Sequence, residues 1–168
     1  MALGKNGDAY LLDRANLGGV GAPLAHRHVS EGSIINAAAA YTTARGAFVV
    51  FRGRGSSCPA GQSGDLIAIH ITTASPPSVG VACCANAHGR GSPMVTTIDG
   101  RSEPIVWSVA AEADNQLRGF DGETGRLLFS EGNANQRMPL VRRFQTPIVA
   151  RGRIVVAADD QLLAFSAR

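Results

Sequence analysis

The chain has 168 residues, enough for one ordinary domain with a real core. Its net charge of +3 rests on arginines scattered along the chain (Arg14, Arg45, Arg52, Arg54, Arg90, Arg101) with almost no aromatics between them, which excludes the clustered footprint of a nucleic-acid binder. No stretch is long and apolar enough to cross a bilayer as a helix, and "MALGKNGDAY" at the start has no apolar signal-peptide core; as written, the chain is expected to stay where it is made.

The 20 glycines and 8 prolines, among many Val, Ile, Ala and Thr, suit short strands joined by tight turns. Helical periodicity is nearly absent. In chain order, "NGDAYLLD" (6–13) predicts a turn and a strand, and "PLAHRHV" (23–29) a second strand. "INAAAAYTT" (35–43), "RGAFVVF" (45–51) and "SGDLIAIH" (63–70) predict three more, and "GVACCANAHG" (80–89) carries a further one. "GSPMVTTID" (91–99), "EPIVWSV" (103–109), "DNQLRGFD" (114–121) and "RLLFSE" (126–131) form the next run of four. "FQTPIVARG" (144–152), "RGRIVVA" (151–157) and "DDQLLAFS" (159–166) close the chain.

These runs are copies of one unit. Turn residues followed by an alternating apolar run recur at 6–13, 63–70, 114–121 and 159–166, and they align on Ala9, Leu66, Leu117 and Leu162. A β-branched block precedes each of the last three, and a further block opens on Pro93 and Pro147 at matching places, where a missing N–H does least harm. Four strands per unit of roughly fifty residues is the pattern of a β-propeller blade.

The motif "GFDGETGRLLF" (119–129) resembles the quinoprotein-type propeller repeat of pyrroloquinoline-quinone dehydrogenases and their non-enzymatic relatives. Gly119, Asp121, Gly125 and Arg126 fall at the repeat's places, and Phe129 stands where its docking tryptophan is usual. "GKNGDAYLLDRANLGG" (4–19) retains Asp13 and Gly18, and "TPIVARGRIVVAADDQLLAF" (146–165) resembles a last repeat. The chain departs from the pattern in placing its tryptophan, Trp107, on a second strand, and the likeness is weak over 71–90.

The resemblance implies an all-β partial propeller of about three four-stranded antiparallel blades. Its divisions are a half blade (1–29), two blades (30–85 and 86–132) and an incomplete last blade (133–168), some thirteen strands in all. Such an arc is expected to be the C-terminal part of a longer propeller, or else to self-associate as a homodimer, because its first and last blades offer apolar faces and open edges. Trp107, Phe120, Phe129, Phe144 and Phe165 are expected between blades.

The implied role is structural or binding, with no catalytic residue and no metal ligand nominated. The alternatives are part of a quinone-dependent alcohol or sugar dehydrogenase and a protein-assembly scaffold. No cofactor is expected in the isolated chain, whereas pyrroloquinoline quinone and Ca²⁺ belong to a complete enzymatic propeller. A periplasmic or secreted parent is also implied.

Several residues invite chemistry and also have plain readings. Cys83 and Cys84 are vicinal, like the disulfide near the quinone in alcohol-oxidising quinoproteins. On a strand, however, neighbours face opposite ways, which predicts one buried and one exposed thiol, and Cys58 is free to pair with either. His26 and His28 share one side of a strand, a spacing open to two metal ligands or to plain exposure, while His70 and His88 belong to other units. Glu112, Asp114, Asp159 and Asp160 gather between second and third strands, where Ca²⁺ ligands and ordinary turn residues look alike.

Overall fold

The protein was analysed as a computed structural model that describes residues 1–17, 21–55, 57–130 and 138–166. Among these residues there are fourteen strands and no helix. They form four antiparallel meanders, each built from strands consecutive in the chain. The first sheet holds β1 (Ala2–Leu3), β2 (Asp8–Leu11) and β3 (Ala25–His28). The second holds β4 (Ala39–Thr43), β5 (Gly46–Arg52), β6 (Leu66–Ile71) and β7 (Val79–Ala85). The third holds β8 (Met94–Thr96), β9 (Ile105–Val109), β10 (Leu117–Asp121) and β11 (Leu127–Ser130). The fourth holds β12 (Ile148–Ala150), β13 (Arg153–Ala157) and β14 (Leu162–Ser166).

The four aligned residues occupy one structural position. Ala9, Leu66, Leu117 and Leu162 pair with Leu3, Arg52, Val109 and Ala157, the last residue of the preceding strand in each sheet. The residue just before each accepts an equivalent turn-closing bond: Gly4 N–H to Asp8 O, Gly53 to Asp65, Ala110 to Gln116 and Ala158 to Gln161. The two complete sheets even share an irregularity, a register shift between Ala68 and Ile69 against β7 and between Gly119 and Phe120 against β11. These positions coincide in the alignment. One sequence unit therefore specifies one sheet, down to its bulge.

The sheets lie face to face in chain order, with an apolar core between each consecutive pair. Ala9 and Val29 meet Phe51, Ile67, Ile69, Val79 and Cys84 between the first two sheets. Phe48, Val50, Leu66, Ala68 and Cys83 meet Val106 and Phe120 between the second and third. Trp107, Val109 and Leu117 meet Ile154 and Val156 between the third and fourth. Alternation sends Leu66 and Ala68 of β6 to one core and Ile67 and Ile69 to the other, which explains why the strand reads "LIAI" without a polar break. Each large side chain so buried contributes about 1.5–3 kcal/mol of transfer free energy.

The turn after β10 fastens the third sheet to the second. Asp121 Oδ1 accepts from the N–H groups of Glu123 and Thr124, shaping an Asx turn that Gly125 closes with φ +76°. The Tyr41 hydroxyl then donates to Gly122 O, and the Thr43 hydroxyl to Glu123 Oε1 at 2.6 Å. Gln62 Nε2 donates to Thr124 O at 3.1 Å. A side chain at Gly119 is excluded because a Cβ there would lie 2.8 Å from the Trp107 ring, its cross-strand partner.

Four expectations require correction. The first sheet has three strands rather than two, because Ala2–Leu3 pairs with β2; two residues are too few to show a period. Cys83 and Cys84 do point opposite ways, yet both are buried, since each face of the second sheet is covered by a neighbour. Trp107 and Phe120 are buried and Phe129 and Phe165 half-buried, but Phe144 is 52% exposed on a turn residue with φ +68°. Finally, the outward face of the first sheet is polar, carrying Asp8, Tyr10, His26 and His28. Gly18 and the boundary between residues 132 and 133 lie outside the described residues.

Candidate functional site

At one end of the stack the β5–β6 connection within the second sheet and the connections between sheets converge on an open cleft of about 290 Å³. Arg54 follows β5, Arg90 lies between β7 and β8, and Arg143 and Phe144 precede β12. Three different connections thus aim guanidinium groups into one space.

Part-buried ion pairs hold that geometry. Arg52 reaches Asp65 with two bonds of 2.6 Å, and Asp65 Oδ1 also accepts from Ala87 N–H at 2.8 Å. From the next sheet, Arg118 clasps Asp114 bidentately and donates to Ala87 O at 3.1 Å. The peptide at Ala87 is therefore gripped from both sides, which fixes where Gly89 and Arg90 emerge. Arg90 N–H donates to Ala111 O, and Arg90 O accepts from Asn36 Nδ2 at 2.8 Å. Arg54 N–H donates to the Ser30 hydroxyl oxygen at 2.9 Å.

The acidic residues of the turns are each committed to arginine, apart from Asp160, for which the described residues show no partner. Glu112 receives Arg143 through Nε at 3.0 Å and Nη2 at 2.8 Å, with Arg90 at 3.7 Å. The Arg143 bond holds the Glu112 carboxyl below its ordinary range. Burial pushes Asp114 up, but the Arg118 bond and the Gln116 N–H override it and leave a net lowering. Asp159 is lowered by its bond to Arg142. Among the described residues no set of three or more His, Cys, Asp and Glu side chains is arranged to hold a metal ion.

His26 and His28 do share a face, and the group between them is Asp8. His28 Nδ1 lies 2.7 Å from Asp8 Oδ1 and His26 Nε2 3.0 Å from Oδ2, while Asn6 Nδ2 and the Tyr10 hydroxyl also donate to Oδ2. Tyr10 stacks on His26 at 4.7 Å between ring centroids. His70 and His88 stand apart, the first bonding Arg45 O at 2.8 Å and the second in a left-handed turn at φ 56°.

The bonds from His26 and then His28 lower Asp8 to about 2 from its ordinary 3.8. A carboxylate depressed on folding adds stability that is complete above its unfolded value and fades as pH falls through the folded one. The chain is accordingly expected to weaken between about pH 4 and pH 2. Asp8→Asn should flatten part of that slope in urea midpoints measured across the window, and an unchanged slope contradicts the assignment.

Cys58 and Cys84 form a disulfide that ties the loop between β5 and β6 to β7. Cys83 is the remaining cysteine, buried, its thiol pushed up to about 11 chiefly by burial. The two vicinal cysteines are therefore not joined to each other, and the quinone-type vicinal bridge is absent from this fold.

The cleft is not legible in the sequence because Arg54, Arg90 and Arg143 are far apart in the chain, and Arg54 and Arg90 read as scattered charge. The available signal was the pair of Gly-Arg-Gly triplets at 53–55 and 89–91, each just past a strand. No family model, curated protein or solved structure matches this chain.

Proposed function

We propose that the chain is a run of quinoprotein-like propeller blades with a structural or binding role and no catalytic activity of its own. The observation that carries this reading is the register identity of the four meanders, stacked in chain order, the third fastened to the second by the Asp121–Gly125 turn. Arginine occupancy of the turn carboxylates argues for the binding role over a Ca²⁺-dependent oxidation, since a guanidinium already neutralises the oxygens a calcium ion would need. The Cys58–Cys84 bridge suits the oxidising compartment that the resemblance implies. Titration with pyrroloquinoline quinone and Ca²⁺, followed by absorbance, is expected to give no saturable change. Stoichiometric binding with alcohol-dependent dye reduction would establish the dehydrogenase alternative instead. The protein-assembly scaffold remains the reading closest to this one, and the cleft is where a recruited partner would meet it.

Self-association belongs to the same proposal. The outward face of the fourth sheet is apolar, with Ile148 58% and Leu162 75% exposed, whereas the first sheet's outward face carries Asp8, His26 and His28. A head-to-tail contact would press apolar residues on a charged cluster, so an isologous dimer through two fourth sheets is the favoured mode. Sedimentation equilibrium at micromolar concentration should show that dimer, and Leu162→Glu should dissociate it. A stable monomer across the range contradicts it.

A further inference from the structure

We infer that the arginine-rimmed cleft at the connection end of the stack is a docking site for an acidic peptide segment of a partner protein, its carboxylates on Arg54 and Arg90 and a neighbouring apolar side chain on Phe144. The inference deepens the binding role proposed above by naming the partner's chemistry, and it rests on that reading.

Four observations carry it. The first is charge: Arg52, Arg54, Arg90 and Arg143 line the cleft, and with Arg52 paired to Asp65 and Arg143 to Glu112, Arg54 and Arg90 leave it an excess of positive charge. Arg54 has no side-chain partner among the described residues, and Arg90 reaches Glu112 only at 3.7 Å. Planar guanidinium forks match carboxylates two bonds at a time.

The second is preorganisation. The backbones that carry Arg54 and Arg90 are pinned by Ser30, Asn36 and Ala111, so the forks leave from fixed points and binding orders little of the chain. The third is Phe144. A bulky residue held at φ +68° with half its surface in water is unfavourable for folding on both counts, and such outliers persist at sites that use them. An exposed aromatic beside arginines is the composition of a binding hot spot.

The fourth is shape. At about 290 Å³ and open to the surface, the cleft admits side chains presented by a peptide more readily than it encloses a cofactor. Nucleic acid fits less well: among the described residues lining the cleft Phe144 is the one aromatic, a single stacking platform.

Fluorescence anisotropy with the whole chain tests the proposal. The probes are a fluorescein-labelled peptide alternating Glu and Leu, the same peptide with Gln for Glu, and labelled oligouridine. The Glu peptide is expected to bind saturably, and each of Arg54→Ala and Arg90→Ala to weaken it about tenfold, the loss of one charge-assisted contact. Arg126→Ala, on the exposed turn before β11, should leave it unchanged. Circular dichroism and thermal melts identify variants that keep the parent fold. Absence of Glu-peptide binding, equal binding of the Gln peptide, or full binding by both folded cleft variants overturns the proposal, as does preference for oligouridine. A quinone that binds in the earlier titration would instead overturn the reading on which it rests, so the two failures are separable.

Discussion

Phe120→Ala should lower the free energy of unfolding by about 3–5 kcal/mol, among the largest single effects in the molecule. The ring is 3% exposed and sits on β10 facing the second sheet, among Val50, Leu66, Ala68, Cys83 and Val106. Apart from Cys83 on the edge strand β7, its neighbours lie on central strands paired on both sides by ladder hydrogen bonds, so they collapse little into the space left behind. The lost contacts and the residual cavity therefore both count against the variant. Leu117, three residues earlier on the same strand, faces the opposite core with Trp107 and Val156. Urea unfolding at neutral pH reads the difference directly. A midpoint equal to the parent's would mean that Phe120 does not pack between the second and third sheets.

Loss of the Cys58–Cys84 disulfide comes next in size. The bridge spans a sequence separation of 26 residues, and closing a loop of that length in the unfolded chain corresponds to about 3–4 kcal/mol. Within the fold it anchors a long connection that is also tied by the Gly55–Gly64 and Gly53–Asp65 backbone bonds and by the side chain of Gln62. Cys58→Ser should thus be destabilised by an amount of that order, and a reductant should bring the parent to the same level while leaving the variant unmoved. Thiol titration supplies the companion result: one free thiol per chain, Cys83, unreactive until the protein is denatured because it is buried and its thiol is held at about 11. Two reactive thiols in the native chain, or a variant as stable as the oxidised parent, would contradict the bridge.

The architecture was legible where a period had room to repeat. β5, β6, β9, β10 and β13 carry the β-branched or alternating runs that mark strands, and the alignment on Leu66, Leu117 and Leu162 matches the register residue for residue. β1 was not legible, since Ala2 and Leu3 are recruited by β2 and by the bond from Gly4 N–H to Asp8 O rather than by their own pattern. Burial was harder to read than strand position. One of Cys83 and Cys84 was expected in solvent because alternation separates two faces; only the neighbouring sheets decide that both are covered, although the unbroken apolar run of β6 was already the mark of a doubly covered strand. Phe144 failed for the opposite reason: its side chain favours burial, and its left-handed backbone on a turn keeps it out.

The candidate site was less legible than the fold. The His26 and His28 spacing correctly put both rings on one side of β3, but their partner Asp8 comes from β2, and pairing of Asp8 with His28 is a fact of sheet register. The arginine cleft depends on three connections brought together by stacking, a relation that no local window contains.

The central claim is that consecutive meanders pack face to face in chain order, with opposite faces of one sheet serving different neighbours. Methyl and aromatic nuclear Overhauser effects test it most directly. The account predicts contacts from Phe120 and Val106 to Val50 and Leu66, from Leu117 and Trp107 to Ile154 and Val156, and from Ala9 to Ile67, each set separate from the others. Contacts from Phe120 to Ile154 or Val156, or from Leu117 to Val50 and Leu66, would place the faces the wrong way round and contradict the stacking order.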